Sequence, residues 1–260
     1  MIGIFDSGVG GMTVARAVEQ LLPTYQIVYF GDLARTPYGS KSPETITAYS
    51  IENIEFLLSR GAKVIIIACN SAASVASDTL RRHFRVPIFE VISPAVKQAM
   101  TVTTTGRIGV IGTRATIRSN VYERTFKEMA PDLRIFSQSC PLLVPLVEEG
   151  WLSKQETKMI LRRYLQPLRQ EQIDTLVLGC THYPLLAGLI RQRLGRGRVN
   201  LVDSSIAVAE SLKSYLESTP EIAPLAHDPS LNRYYVSDVT SAAIDIARKI
   251  FGRRIDLIKV

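Results

Sequence analysis

The stretch KVIIIACNSAAS, residues 63–74, sets a run of apolar, mostly β-branched residues directly before a cysteine, a polar pair and a run of small residues. An unbroken apolar run of this kind is typical of a strand buried on both faces of a parallel sheet. A second stretch, TLVLGCTH at 175–182, repeats the arrangement around Cys180. The two stretches predict two buried strands that each end in a thiol.

Short apolar runs of the same type recur along the chain and alternate with segments of helical length. This alternation predicts an α/β fold in which mainly parallel sheets are covered by helices on both faces. The predicted strands are IGIF (2–5), QIVYF (26–30), KVIIIA (63–68), VPIFEVI (86–92), RIGVIG (107–112), LRIFSQ (133–138), TLVLG (175–179) and VNLVD (199–203). The predicted helices include 43–60, 71–84, 116–129 and 153–170.

The pattern also repeats at the scale of half the chain. IGIFDSGVGGMTVA from residue 2 and IGVIGTRATIRSNVY from residue 108 both run from a strand through a small-residue turn into a helix, and their separation nearly equals that of Cys69 and Cys180. We therefore expect two similar, pseudo-symmetric α/β domains with the active site in the cleft between them. Ligands bind at the carboxyl ends of strands in open α/β sheets, so the two thiols should lie on opposite walls of that cleft.

Domain boundaries follow from this repeat. The second domain is expected to span 94–204, beginning after VISP. The first domain is expected to comprise 1–93 together with 205–260, so that the last segment returns to cover the first sheet.

Composition limits the class of protein. The chain has 260 residues, of which 46% are hydrophobic and 21% charged, as in globular proteins. No apolar stretch is long enough to span a bilayer, and the N-terminus lacks the pattern of a secretory signal. Three cysteines without CxxC spacing fit a reducing compartment, so we expect a cytoplasmic protein with free thiols and no membrane partner.

The net charge of +7 includes basic clusters at RRHFR (81–85) and RQRLGRGR (191–198). Such clusters are either solvated helix ends or part of a nucleic-acid footprint. No groove-reading motif accompanies them, so we do not expect nucleic acid to be the partner.

No metal or cofactor site can be read from the chain. The three histidines and three cysteines are too scattered to form a zinc ligand set, and FDSGVGG (5–11) lacks both the GxGxxG spacing and the lysine of a phosphate loop. This glycine-rich stretch is either a tight strand-to-helix turn capped by Ser7 or a functional loop in which Asp6 takes part. Cys140, in SQSCPLLVPLVEEG, is expected to pack in the core.

Cys69 and Cys180 are instead followed at once by groups that need hydrogen-bond partners: Asn70 and Ser71, then Thr181 and His182. A thiol with a pKa of about 8.5 can give or take a proton near neutral pH, and a histidine two residues away can assist it. Racemisation of an amino acid needs such a pair, one group removing the α-proton on one face and the other delivering a proton to the opposite face.

The motifs that carry these residues resemble those of glutamate racemases, the cofactor-independent enzymes of the aspartate/glutamate racemase superfamily. The likeness covers nearly the whole chain. It runs in order through FDSGVGGMTV, PYGSKS (37–42), ACNSA, IGTRATIRS, CPLLVPLVEEG and LGCTHYPLL.

This resemblance implies a role for each matching position. Cys69 and Cys180 would be the two catalytic bases, assisted by Asp6 and His182 respectively, with Glu148 close to His182. The pair Cys180 and His182 would act on L-glutamate, and Cys69 with Asp6 on D-glutamate. The implied substrate-binding set is Asp6, Ser7, Pro37, Tyr38, Gly39, Asn70, Ser71, Thr113, Thr116 and Thr181. Ser71 departs from the threonine that the family usually has there.

The resemblance also implies a purpose, which is to supply D-glutamate for bacterial peptidoglycan synthesis and hence for cell shape. It implies glutamate as the small-molecule partner, and we expect a homodimer. Three alternatives stay open: a racemase of aspartate, a nucleic-acid-interacting protein, and a thiol redox enzyme that would need a disulfide between Cys69 and Cys180.

Overall fold

The computed structural model describes residues 1–195, 197, 199–219 and 231–260. Within these residues the chain forms parallel strands that alternate with helices, as the sequence predicts. The strands are β1 (Ile2–Asp6), β2 (Ile27–Gly31), β3 (Val64–Ile67), β4 (Ile88–Glu90), β5 (Arg107–Gly112), β6 (Arg134–Ser139), β7 (Thr175–Gly179), β8 (Asn200–Asp203), β9 (Arg233–Val236) and β10 (Leu257–Lys259).

The strands form two parallel sheets. One sheet has six strands in the order β10-β9-β2-β1-β3-β4, and the other has four in the order β6-β5-β7-β8. The strands β1, β3 and β7 are buried along their whole length, which explains why their sequences are unbroken apolar runs. The predicted α/β class with two mainly parallel sheets is confirmed.

The helices cover the faces of these sheets. They are α1 (Met12–Leu21), α2 (Pro43–Ser59), α3 (Asn70–His83), α4 (Ile92–Val102), α5 (Arg114–Arg118), α6 (Val121–Met129), α7 (Leu143–Glu148), α8 (Gln155–Gln170), α9 (Ala187–Leu194), α10 (Ser204–Glu217) and α11 (Ser241–Phe251). Short 3-10 helices lie at Leu33–Arg35, Tyr38–Ser40 and Tyr183–Leu186.

Two predicted elements were wrong in extent. The run 86–92 is not a single strand, because α4 begins at Ile92, where the Glu90 carboxylate accepts hydrogen bonds from the amides of Ile92 and Ser93. The segment 116–129 is not one helix, because Asn120 adopts a left-handed conformation with φ of 54° and separates α5 from α6.

The C-terminal part of the chain completes the first sheet. β9 pairs with β2, and β10 pairs with β9, so two strands that the sequence pattern did not reveal extend the six-stranded sheet. Strands from 107 to 203 all lie in the other sheet. The division into domains at residues 94 and 205 stays a prediction.

The first basic cluster lies at a helix end. Arg81, Arg82 and His83 form the last turn of α3, where positive charge is favourable beside the free carbonyl groups. Of the second cluster, Arg196 and Arg198 lie outside the described residues. In the part of the chain that the structure describes, no helix combines the length and apolar character needed to cross a membrane.

Candidate active site

The carboxyl ends of β1, β3 and β7 bring the predicted chemical groups into one region. Asp6 is the last residue of β1, and Cys69 follows the neighbouring strand β3 at the position that precedes α3. Cys180 follows β7 in the other sheet. Asp6 is fully buried, and the two cysteines are 4% and 5% exposed. Each sheet therefore supplies one buried thiol at a strand end.

Cys69 lies beside Ser7. Its Sγ donates a hydrogen bond to Oγ of Ser7 at 3.5 Å. Burial, together with the nearby Asp6 carboxylate, raises the pKa of the Cys69 thiol to about 12, although the hydrogen bonds with Ser7 and with the Ala72 amide act in the opposite direction. The protonated thiol is consequently the stable form of this side chain near neutral pH.

The site has two halves, one at the ends of β1 and β3 and one at the end of β7, and Asp6 connects them. Its carboxylate accepts a hydrogen bond from the amide of Gly8 at 3.0 Å and another from Oγ1 of Thr181, 3.3 Å away on the loop after β7. Burial raises the pKa of Asp6, and the positive charge of His182 partly opposes this effect. Asp6, next to Ser7, thus contacts Thr181, next to Cys180.

A hydrogen-bonded chain extends from the second thiol. Sγ of Cys180 lies 3.8 Å from Nδ1 of His182, and Nε2 of the same ring lies 3.2 Å from Oε1 of Glu148 at the end of α7. Burial alone would lower the pKa of His182, but the hydrogen bonds and negative charges of Cys180 and Glu148 outweigh it, so that the pKa lies well above its usual value. These contacts favour the protonated ring, and a protonated imidazole stabilises a thiolate placed beside it.

The glycine-rich loop after β1 packs directly against the hydrogen-bonded chain of Cys180, His182 and Glu148. A Cβ on Gly10 would lie 2.4 Å from Nδ1 of His182 and 2.6 Å from Oγ1 of Thr181. The alternative in which Ser7 caps the following helix does not hold, because α1 begins at Met12 with Gly11 at the cap position. The glycines of the loop allow the backbone to approach the opposite half of the site.

Three hydroxyl groups form a second bridge between the halves. Oγ of Ser71 lies 2.9 Å from Oγ1 of Thr113, which lies 3.1 Å from Oγ1 of Thr116. Thr113 also caps α5 by accepting the amide hydrogen of Thr116. All three side chains are buried, so the structure brings together the hydroxyl groups that the resemblance assigns to substrate binding.

Asn70 is held in place by two residues that the sequence motifs did not identify. Its Oδ1 accepts a hydrogen bond from the Tyr122 hydroxyl at 2.7 Å, and its Nδ2 lies 3.5 Å from Oγ of Ser204. Tyr122 closes the second copy of the repeated strand-turn-helix stretch, which is the sequence signal that could have indicated it. Both contacts fix the amide of Asn70 beside Cys69.

The Tyr38 side chain, in the segment 37–39, is anchored inside the protein. The Tyr38 side chain is fully buried, its hydroxyl donates to the Asp32 carboxylate, and it accepts a hydrogen bond from Nδ2 of Asn53 at 3.1 Å. The Tyr38 hydroxyl is thus engaged inside the protein. Gly39 packs on Thr113, since a Cβ at position 39 would lie 2.6 Å from Thr113 Cβ.

The third cysteine belongs to the core. Cys140 is fully buried there, as predicted. All three cysteines are free thiols. Across residues 1–195, 197, 199–219 and 231–260, no group of three or more His, Cys, Asp or Glu side chains is arranged to hold a metal ion.

Comparison with known proteins places the chain among racemases. The family model described as Asp/Glu/Hydantoin racemase matches residues 12–212. The chain is 47% identical over 256 residues to the glutamate racemase of Syntrophus aciditrophicus, covering 97% of this chain and 93% of the relative. Among solved structures, it resembles glutamate racemase isoform RacE1 of Bacillus anthracis with a TM-score of 0.93 and 37% identity, covering 100% of this chain and 97% of the other. It also resembles glutamate racemase of Francisella tularensis in complex with D-glutamate, with a TM-score of 0.91 and 32% identity over 100% and 96% of the two chains.

Proposed function

The chain belongs to the Asp/Glu/Hydantoin racemase family, and on that premise we propose that it interconverts L- and D-glutamate with Cys69 and Cys180 as opposed acid and base. The observation that carries this proposal is the pair of buried thiols at the ends of β3 and β7, each with its own ionisable neighbour. Names of relatives support glutamate as the substrate.

The reaction requires two proton transfers. In the direction from L to D, the Cys180 thiolate takes the α-proton, the electron pair stays on the α-carbon and its carboxylate, and the Cys69 thiol gives its proton to the opposite face. Cys180 ends as a thiol and Cys69 as a thiolate, so charge and protons balance. The reverse direction uses the same groups in exchanged roles.

The electrostatics of the resting site favour one of the two starting forms. The pKa of about 12 keeps Cys69 protonated, and the imidazolium of His182 stabilises negative charge on Cys180. A protonated Cys69 suits the direction from L to D, in which Cys69 is the proton donor. After turnover toward D-glutamate, the Cys69 thiolate beside Asp6 is the less stable form and regains a proton.

Binding and stabilisation of the carbanion are assigned to groups around the two thiols. Hydroxyl groups and amides in a water-poor site can hold both carboxylates and stabilise the charge that develops on the α-carboxylate. We propose that Asp6, His182 and Glu148 assist proton transfer. The proposed binding set is Asp6, Ser7, Pro37, Tyr38 through its backbone, Gly39, Asn70, Ser71, Thr113, Thr116 and Thr181.

Aspartate is the closest competing substrate. It is one methylene shorter, and one methylene contributes only about 1–3 kcal/mol of discrimination in a pocket. We propose glutamate as the preferred substrate because the relatives at 32–47% identity are named glutamate racemases. Supply of D-glutamate for peptidoglycan and assembly as a homodimer extend the proposal and rest on the family resemblance.

The test uses purified protein with L-glutamate or L-aspartate and no added pyridoxal phosphate, followed by circular dichroism at a wavelength where the free amino acid absorbs. We expect glutamate to lose its optical activity and aspartate to change much more slowly. Treatment with a chelator or a carbonyl-trapping reagent should leave the rate unchanged. Absence of turnover with glutamate, or faster turnover of aspartate than of glutamate, would contradict the proposal.

A further inference from the structure

A cavity of about 480 Å³ lies against the outer side of the proposed substrate-binding elements. It is bounded by the loop that follows Gly39, by Val75 on α3 and by Ala115 on α5. Val75 is one helical turn from Ser71, and Ala115 is adjacent to Thr116. Three walls of the cavity therefore belong to segments that carry or adjoin a proposed binding residue, and Pro43 and Ile46 at the start of α2 complete the lining.

Three cations line this cavity and come from both halves of the site. Lys41 follows the 37–39 loop, whereas Arg114 and Arg118 belong to α5. None of the described residues that line it is Asp or Glu, and none of the three cations forms an ion pair within the described part of the chain. Serine hydroxyls at 40, 42 and 119 complete the polar lining.

A second cavity that borders Val75 of α3 has a different charge. It is lined by Asp78, Glu90 and Glu128 as well as by Arg81 and Arg124, so its charges largely compensate one another. An uncompensated positive lining next to the binding elements raises the local concentration of anions. Glutamate, with two carboxylates and one ammonium group, carries a net charge of −1 near neutral pH.

We propose that this cavity, lined by Lys41, Arg114 and Arg118, is an outer capture site that attracts acidic substrate to the cleft before it reaches the two thiols. The inference rests on the proposed function. It adds three residues that neither the reaction mechanism nor the substrate-binding set uses. It also explains why positive charge gathers on both sides of the contact between Gly39 and Thr113, which is one of the contacts between the two halves.

The test is the double variant Lys41→Gln/Arg118→Gln, which removes one charge from each half and leaves Arg114, next to the cap residue Thr113, unchanged. At an ionic strength of about 10 mM, where the Debye length is about 30 Å, we expect kcat/KM to fall by about three- to tenfold for both enantiomers, with kcat retained. At about 1 M salt, where the Debye length is about 3 Å, the variant and the unmodified protein should coincide.

A matched control removes the same charge elsewhere. Arg162 and Arg169 line a basic cavity of about 310 Å³ between α8 and α9. The variant Arg162→Gln/Arg169→Gln should keep the kcat/KM of the unmodified protein at low salt. Thermal unfolding of both variants verifies that they are folded.

Four outcomes contradict the capture site. They are an unchanged kcat/KM of the Lys41→Gln/Arg118→Gln variant at low salt, an equal loss in the control variant, a loss that persists at high salt, and a loss confined to kcat. Failure of the unmodified protein to act on glutamate would instead contradict the proposed function. The two failures are therefore distinguishable.

Discussion

Replacing Gly10 by Ala tests how closely the two halves of the site must pack. The added Cβ would lie 2.4 Å from Nδ1 of His182, whereas ordinary van der Waals contact begins at 3.4 Å. The imidazole must consequently move by about 1 Å from its position beside Cys180, and a misplacement of that size lowers the rate by about 10²-fold. This corresponds to about 2.7 kcal/mol of transition-state stabilisation.

The assay measures initial rates of racemisation in both directions by circular dichroism. We expect kcat of Gly10→Ala to fall by about 10²-fold because the shifted ring belongs to the proton-transfer chain, and KM to rise as well because the same Cβ would lie 2.6 Å from Oγ1 of Thr181, a proposed binding residue. Enantiomers have an equilibrium constant of one, so kcat/KM must fall by the same factor from L to D and from D to L. Unequal factors would indicate an error in the measurement.

Gly188→Ala is the matched control. Gly188 lies in α9, a Cβ added there would have no neighbouring atom within 4 Å, and the residue is not among the glycines with positive φ. The control should keep its activity and gain up to about 1 kcal/mol of stability from the helix preference of alanine. Overpacking in Gly10→Ala costs about 1–3 kcal/mol, so the variant should remain folded in thermal unfolding. A folded Gly10→Ala protein with unchanged kcat would refute the reasoning.

Further predictions concern the thiols, their partners and stability. In deuterated solvent, Cys69→Ala should exchange the α-proton of L-glutamate and not that of D-glutamate, and Cys180→Ala should do the reverse. NMR measures this exchange, and equal exchange of both enantiomers by either variant would exclude a mechanism with two opposed bases. Asp6→Asn and His182→Asn should each lower kcat more than they raise KM, and a change in KM alone would show that the residue acts in binding and not in proton transfer. Asp174 accepts hydrogen bonds from the amides of two residues in the loop 103–105, and these bonds hold its pKa below the usual value. Because the folded pKa is depressed, the stabilisation is present above the unfolded pKa of about 3.9 and is lost as the pH falls through the folded pKa. Asp174→Asn should therefore lower the melting temperature at pH 7, and a difference that fails to narrow on acidification below pH 4 would contradict this assignment.

The buried strands and the two thiols could be predicted because their signals are local. Strands such as β1, β3 and β7 are covered on both faces, so their sequences are continuous apolar runs. Cys69 and Cys180 stand where such a run ends, and polar residues follow each of them. The family resemblance then added the hydroxyl set and Glu148, which no spacing rule connects with a thiol.

Features that depend on distant contacts could not be predicted. β9 and β10 are short, β10 lies at the edge of the sheet, and the pairing of β9 with β2 joins parts of the chain that are far apart in sequence. The start of α4 lies within an apolar run and could not be recognised from it. The carboxylate of Glu90 accepts hydrogen bonds from the first helical amides, although glutamate is a residue that strands disfavour. Similarly, Tyr122 and Ser204 reach Asn70 only in the folded chain.

The late arrival of β9 has a consequence for synthesis of the protein. β2 has β1 on one side, but its other edge stays unpaired until residues 233–236 leave the ribosome, which takes roughly 10–40 s after β2 itself at ordinary translation rates. During that interval the backbone donors and acceptors of an apolar strand are open to other chains, a condition that favours aggregation. A chain that stops before residue 233 would contain every proposed catalytic and binding residue. Such a chain would nevertheless expose this edge of β2 permanently. The minimum length of the protein is therefore limited by its solubility and not by the positions of its catalytic residues.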